Sequence, residues 1–133
     1  MPKEKSLEQD FLGYRAGMGV RYPDQCGRSE RLERELAAIL ERIVDDDTEQ
    51  VILFGSAARG DVGSTSDLDL LVVRHDTRRA AERTDDLYRR ARPSVAMDLL
   101  VYTPAELAAA RETSSFLRRI LREGRIVHER RRP

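Results

Sequence analysis

Two aspartates, Asp67 and Asp69, stand two residues apart where an apolar run, Leu68 to Val73, begins. On an extended chain that spacing sends both carboxylates to one side, roughly 6.6 Å apart along the strand, close enough to lean together on one divalent ion. Upstream, the apolar run Val51-Ile52-Leu53-Phe54 stops abruptly at Gly55-Ser56. Glycine after a strand lets the backbone turn sharply and approach an anion, and Ser56 adds a hydroxyl there. A third carboxylate, Asp98, is embedded in Val95-Ala96-Met97-Asp98-Leu99-Leu100-Val101, where burying it ionised without a partner would be costly. If its strand lies beside the Asp67–Asp69 strand, three carboxylates converge. They must then protonate or bind cations, because like charges that close raise one another's pKa. An all-oxygen set of this kind suits Mg²⁺ or Mn²⁺, with water and phosphate oxygens filling the remaining positions.

Each residue also has a plainer reading. Gly-Ser turns are common after strands. Asp67 alone is compatible with a turn, Asp98 with a bond to a backbone group. Arg59 could grip a phosphate as a planar donor or form a salt bridge to Asp61 or Asp67. The chemical reading rests on the combination: a phosphate turn, a metal-binding pair at fixed distance from it, and a third carboxylate on the next long strand.

The elements that must position these residues follow from hydrophobic periodicity. Leu32, Leu36, Ile39, Leu40 and Ile43 mark an amphipathic helix that starts at Ser29 as N-cap. The triplet Asp45-Asp46-Asp47 reads as a solvated turn, not a metal site. Strands are expected over Val51–Phe54, Asp67–Val73 and Val95–Tyr102, with a helix over Arg78–Ala91 between the last two. Thr103-Pro104-Ala105-Glu106 has the form of a capped helix start, ending near Arg111. Ser114 or Ser115 starts another helix, with Phe116, Leu117, Ile120 and Leu121 inward and Gly124 at its C-terminal cap. Ile126 and Val127 suggest a short last strand. This is an α/β domain around a small mixed sheet flanked by helices. We divide the chain into an extension of unclear structure, residues 1–28, a domain over 29–129, and a charged tail, 130–133.

Composition sets further bounds. At 133 residues the chain forms one domain. Charged residues make up 36% of it, yet the net charge is zero and the signs are mixed, so no global field recruits nucleic acid or a membrane surface. Lone Cys26 can form no internal disulfide, which fits a reducing compartment and a cytoplasmic location. No run approaches the ~18–20 apolar residues of a membrane span.

Gly55-Ser56, ten intervening residues and Asp67-Leu68-Asp69 are similar to the signature of the polymerase-beta-like nucleotidyltransferase superfamily. The fuller Gly-Ser-x-Ala-Arg-Gly…Ser-Asp-Leu-Asp-Leu-Leu-Val, with Phe116 to Gly124, resembles its minimal nucleotidyltransferase branch of antitoxin type. The resemblance runs from Val51 to about Glu129. It implies that fold, and transfer of a nucleoside monophosphate, AMP from ATP, to a hydroxyl with release of pyrophosphate. By the same resemblance Asp67, Asp69 and Asp98 would be the catalytic and metal-binding residues, holding two Mg²⁺ or Mn²⁺ ions. Gly55, Ser56, Arg59 and Ser66 would bind the nucleotide. The acceptor implied is a tyrosine of a HEPN-type toxin. Alternatives are a small molecule such as an aminoglycoside, or a partner-binding antitoxin without catalysis. Residues 1–28, which resemble nothing, could support a homo-oligomer.

Overall fold

The computed structural model describes residues 23–55, 58 and 67–131. Helix α1 spans Pro23–Ile43, strand β1 Thr48–Phe54, β2 Leu68–Arg74, helix α2 Ala80–Ala91, β3 Met97–Tyr102, α3 Pro104–Ala110, α4 Ser115–Glu123 and β4 Arg125–Glu129. The four strands form one mixed sheet in the order β3-β2-β1-β4. β1 runs antiparallel to both its neighbours, and β2 pairs with β3 in parallel across the α2 connection.

Helices cover both faces, which explains why β2 reads as a nearly unbroken apolar run and is buried along its whole length. Leu68, Leu70 and Val72 face Leu36, Ile39 and Ile43 of α1 and Leu87 and Ala91 of α2. Leu71 and Ile52 point the other way, against Leu117 and Ile120 of α4, with Leu107 and Ala110 of α3 at the margin. By the strand's period of two, Asp69 shares the face of Leu71, on the α3–α4 side.

Local expectations hold in part. Thr103 caps α3 through its hydroxyl, and Glu106 completes the capping box. Ser114 caps α4. The first helix, however, begins at Pro23, so Ser29 lies inside it and the boundary drawn at 28/29 cuts through the helix. Proline suits a first helical position because its missing N–H has no partner there, whereas Gly27 one turn on weakens the helical signal. Phe116 does not point inward: it is 56% exposed. Gly124 ends α4 in extended rather than left-handed backbone. Space explains this glycine, since a Cβ there would lie 2.5 Å from Ile52 Cγ2 and 2.6 Å from the Ile120 carbonyl oxygen.

The acidic triplet is more than a solvated turn. Both carboxylate oxygens of Asp45 accept from Arg74 Nη2 (2.9 and 3.1 Å), and Oδ2 also accepts from Arg90 Nη1 (3.2 Å). Arg74 itself is only 4% exposed and also pairs with Asp76. This network closes the end of β2 remote from Asp69, where it ties the β1 turn to α2.

Asp76 supplies a test of that network. The Arg78 guanidinium bonded to it holds its carboxyl well below the ordinary carboxylate value of 3.8, against the opposing effect of burial, with Arg74 adding to the lowering. A pKa depressed in the folded state contributes stability above the unfolded value and loses it as pH falls toward the folded one. Asp76→Asn is therefore expected to lower stability at pH 7 by about 1–2 kcal/mol. Urea midpoints between about pH 5 and 2 should also fall less steeply for the variant than for the parent.

Candidate active site

The two halves of the sequence pattern meet at the end of the sheet where β1 stops and β2 starts. Phe54, the last residue of β1, pairs with Asp69 in the antiparallel register. Gly55 then turns with φ +77°, backbone that side chains rarely adopt. A Cβ built on Gly55 would stand 2.2 Å from Asp69 Oδ2 and 3.1 Å from its Cγ. The glycine is thus required twice, by its backbone angle and by the carboxylate packed against it.

Asp98 is the parallel partner of Asp69 across β2 and β3. Residues in register on adjacent strands share a face and sit about 4.8 Å apart at the backbone, so this pair is side by side. Their environments differ: Asp69 is 8% exposed, whereas Asp98 is open to solvent. Asp67, just before β2, is on the same side by alternation. Its amide donates to the Ala96 carbonyl (2.9 Å), and its Oδ2 accepts from the Ala96 amide (3.3 Å), which fastens β3 to the start of β2. The structure therefore brings Asp69, Asp98 and Gly55 together and sets Asp67 beside them with its carboxylate turned to Ala96. Among the described residues, no group of three or more His, Cys, Asp or Glu is placed to hold a metal ion. The donor chemistry nevertheless fits a hard divalent cation, since Asp67, Asp69 and Asp98 offer only carboxylate oxygens. Ser56, Arg59 and Ser66 lie outside the described residues.

A family model described as "Nucleotidyltransferase domain" matches residues 33–128. The chain belongs to that family. The matched span contains Gly55, Asp67, Asp69 and Asp98, and nucleotidyl transfer from a nucleoside triphosphate is the chemistry of such domains, which generally use divalent metals. A crystal structure of a "putative nucleotidyltransferase from Sulfolobus solfataricus", at 1.40 Å resolution, is similar in fold with a TM-score of 0.61. At 22% identity it covers 85% of this chain and 93% of its own, which establishes the shared fold. No curated protein matches the sequence.

Two hollows flank the carboxylates of this nucleotidyltransferase domain. One, of about 260 Å³, lies beyond Gly55 and is lined by Phe54, Phe116, Arg119, Glu123 and Gly124. The other, of about 520 Å³, lies on the far side of Asp67 and is lined by Arg31, Pro93, Ser94 and Ala96. Nothing in the residue pattern singled out Arg119, one of several arginines on α4. Phe116 carries a signal only in hindsight, as a large aromatic at a position that α4 leaves exposed. No described helix is long and apolar enough to cross a membrane.

Proposed function

We propose that this nucleotidyltransferase domain moves AMP from ATP to a tyrosine hydroxyl of a partner HEPN-type toxin, and so acts as a cytosolic antitoxin. The observation that carries the transferase half is the contact of Gly55 with Asp69, with Asp98 in register beside it. A phosphate turn and a carboxylate pair serve one reaction only if they share one volume, and here they touch. The toxin half is supported by the likeness of Gly55-Ser56…Asp67-Leu68-Asp69 and Phe116–Gly124 to the antitoxin-type branch.

Asp67, Asp69 and Asp98 would hold divalent ions, which when bound neutralise triphosphate charge and lower the pKa of an attacking hydroxyl. The chain's own residues do the rest. Gly55 and Ser56 would grip the β- and γ-phosphates and so fix the α-phosphorus for in-line attack; positioning of this kind supplies much of the acceleration. Asp98, exposed where Asp69 is buried, would take the proton from an incoming hydroxyl as general base.

Incubation with Mg²⁺, labelled ATP and a candidate HEPN-type toxin should place label on a tyrosine of that partner. Asp67→Ala combined with Asp69→Ala should abolish both label and neutralisation. Neutralisation that survives the double substitution would make the protein a binding antitoxin, and label on an aminoglycoside would move the acceptor to small molecules.

A further inference from the structure

The hollow beyond Gly55 is walled on one side by a single row of α4. Phe116, Arg119 and Glu123 follow one another at helical spacing along the face turned to the Gly55 turn. The Phe116 ring stands edge-on to Phe54, with centroids 6.0 Å apart and planes at 84°, and closes the apolar flank. Arg119 gives only its Nε to Glu123 Oε1, at 3.1 Å, and no described residue accepts from its two terminal nitrogens. That pair is loosely held. Arg119 is 63% and Glu123 45% exposed in their side chains, and exposed ion pairs contribute little. The order, cation before acid at i, i+4, is also the less favourable one along a helix. Arg122 lies 3.5 Å from the other Glu123 oxygen, so the acid keeps a cationic neighbour if Arg119 leaves.

The order of groups across the sheet end gives this arginine a direction. Asp98 on β3 comes first, then Asp69 on β2, then Gly55 after β1, and last the hollow under α4 beside the start of β4. In-line displacement at phosphorus sets the attacking oxygen and the leaving oxygen on opposite sides. With the acceptor hydroxyl at Asp98, the leaving pyrophosphate points past Gly55 into the hollow.

Resting on the nucleotidyl-transfer reading above, we propose that Arg119 swings from Glu123 to bind the β- and γ-phosphates of the donor nucleotide and the pyrophosphate it becomes. The acceptor oxygen forms the new bond to the α-phosphorus and its proton passes to Asp98. The bond from the α-phosphorus to the bridging oxygen breaks with its electron pair on pyrophosphate, and Arg119 meets the negative charge that accumulates there. A planar guanidinium with both terminal nitrogens available suits two phosphate oxygens at once.

The test is calorimetric titration of the full-length protein and its Arg119→Gln and Glu123→Gln variants with Mg²⁺-ATP, Mg²⁺-AMP and Mg²⁺-pyrophosphate. Arg119→Gln should weaken ATP and pyrophosphate about tenfold or more and leave AMP unchanged. Glu123→Gln, which releases the arginine, should leave ATP binding intact or tighten it about twofold. An Arg119→Gln variant that binds ATP as the parent does, or that loses AMP as much as ATP, would overturn the assignment while leaving nucleotide binding as such in place. A parent protein that binds neither ATP nor pyrophosphate would overturn the underlying reading as well.

Discussion

Replacing Asp69 with Asn is expected to reduce nucleotidyl transfer by roughly a thousandfold or more while leaving the protein folded. The two halves of that expectation come from the same facts. Asp69 is 8% exposed at the heart of the sheet, in register with Phe54 on one side and Asp98 on the other. A carboxylate kept there is held largely out of water beside another of the same sign, a setting suited to a cation. Asn has nearly the same shape, so the fold should persist while the charge is lost. Activity should collapse, because an amide is a poor ligand for a hard cation and cannot offset the developing charge on a phosphoryl group. Urea unfolding and turnover measured on the same preparation check both halves. A carboxylate that serves only the architecture would show the reverse pattern, with stability lost and activity reduced in proportion.

Gly55→Ala should damage stability and activity together. Backbone at φ +77° costs an L-residue about 1–2 kcal/mol. The added methyl also meets Asp69 Oδ2 at 2.2 Å. Asp69 cannot retreat, since its backbone is pinned between two strands, so its carboxylate must rotate away or the β1–β2 turn must open. We expect a loss of about 2–3 kcal/mol in stability and of about a hundredfold in turnover, the usual consequence of displacing a site group by roughly 1 Å. Gly55→Asn separates the two causes. Asn tolerates left-handed backbone but carries a Cβ, so it should regain part of the stability and little of the activity. Full recovery of activity in the Asn variant would show that only the turn matters.

Much of the framework could be read without coordinates because it is encoded locally. The apolar run of β2, the Thr103–Glu106 capping box and the Ser114 cap each announce themselves within a few residues. The approach of Gly55 to Asp69 was only half legible: the glycine turn ahead of the carboxylate pair could be read, but the antiparallel pairing of β1 and β2 that brings them together could not. The parallel pairing that puts Asp98 beside Asp69 was conditional on strand order, which no local pattern encodes. Other features depend on partners distant in sequence. Arg74 ends a strand like any solvent-facing residue until Asp45, twenty-nine positions away, is folded against it. Phe116 fits the inward face of α4 by spacing, yet it lies at the end of β1, where its ring meets Phe54. Pro23 and Gly27 read as helix breakers, although a proline is welcome in a first turn and one glycine is a modest penalty when the rest of a 21-residue helix packs well.

The central claim is that Gly55, Asp69 and Asp98 form one site that transfers the nucleotidyl group of ATP. It is tested most directly by running the reaction in parallel with ATP labelled at the α- or the γ-phosphate, using the parent protein, the Asp69→Asn variant and a candidate HEPN-type partner. The parent should move the α label to the partner, the γ label should leave as pyrophosphate, and Asp69→Asn should move neither. Transfer of the γ label to the partner, or α transfer undiminished in Asp69→Asn, would contradict it.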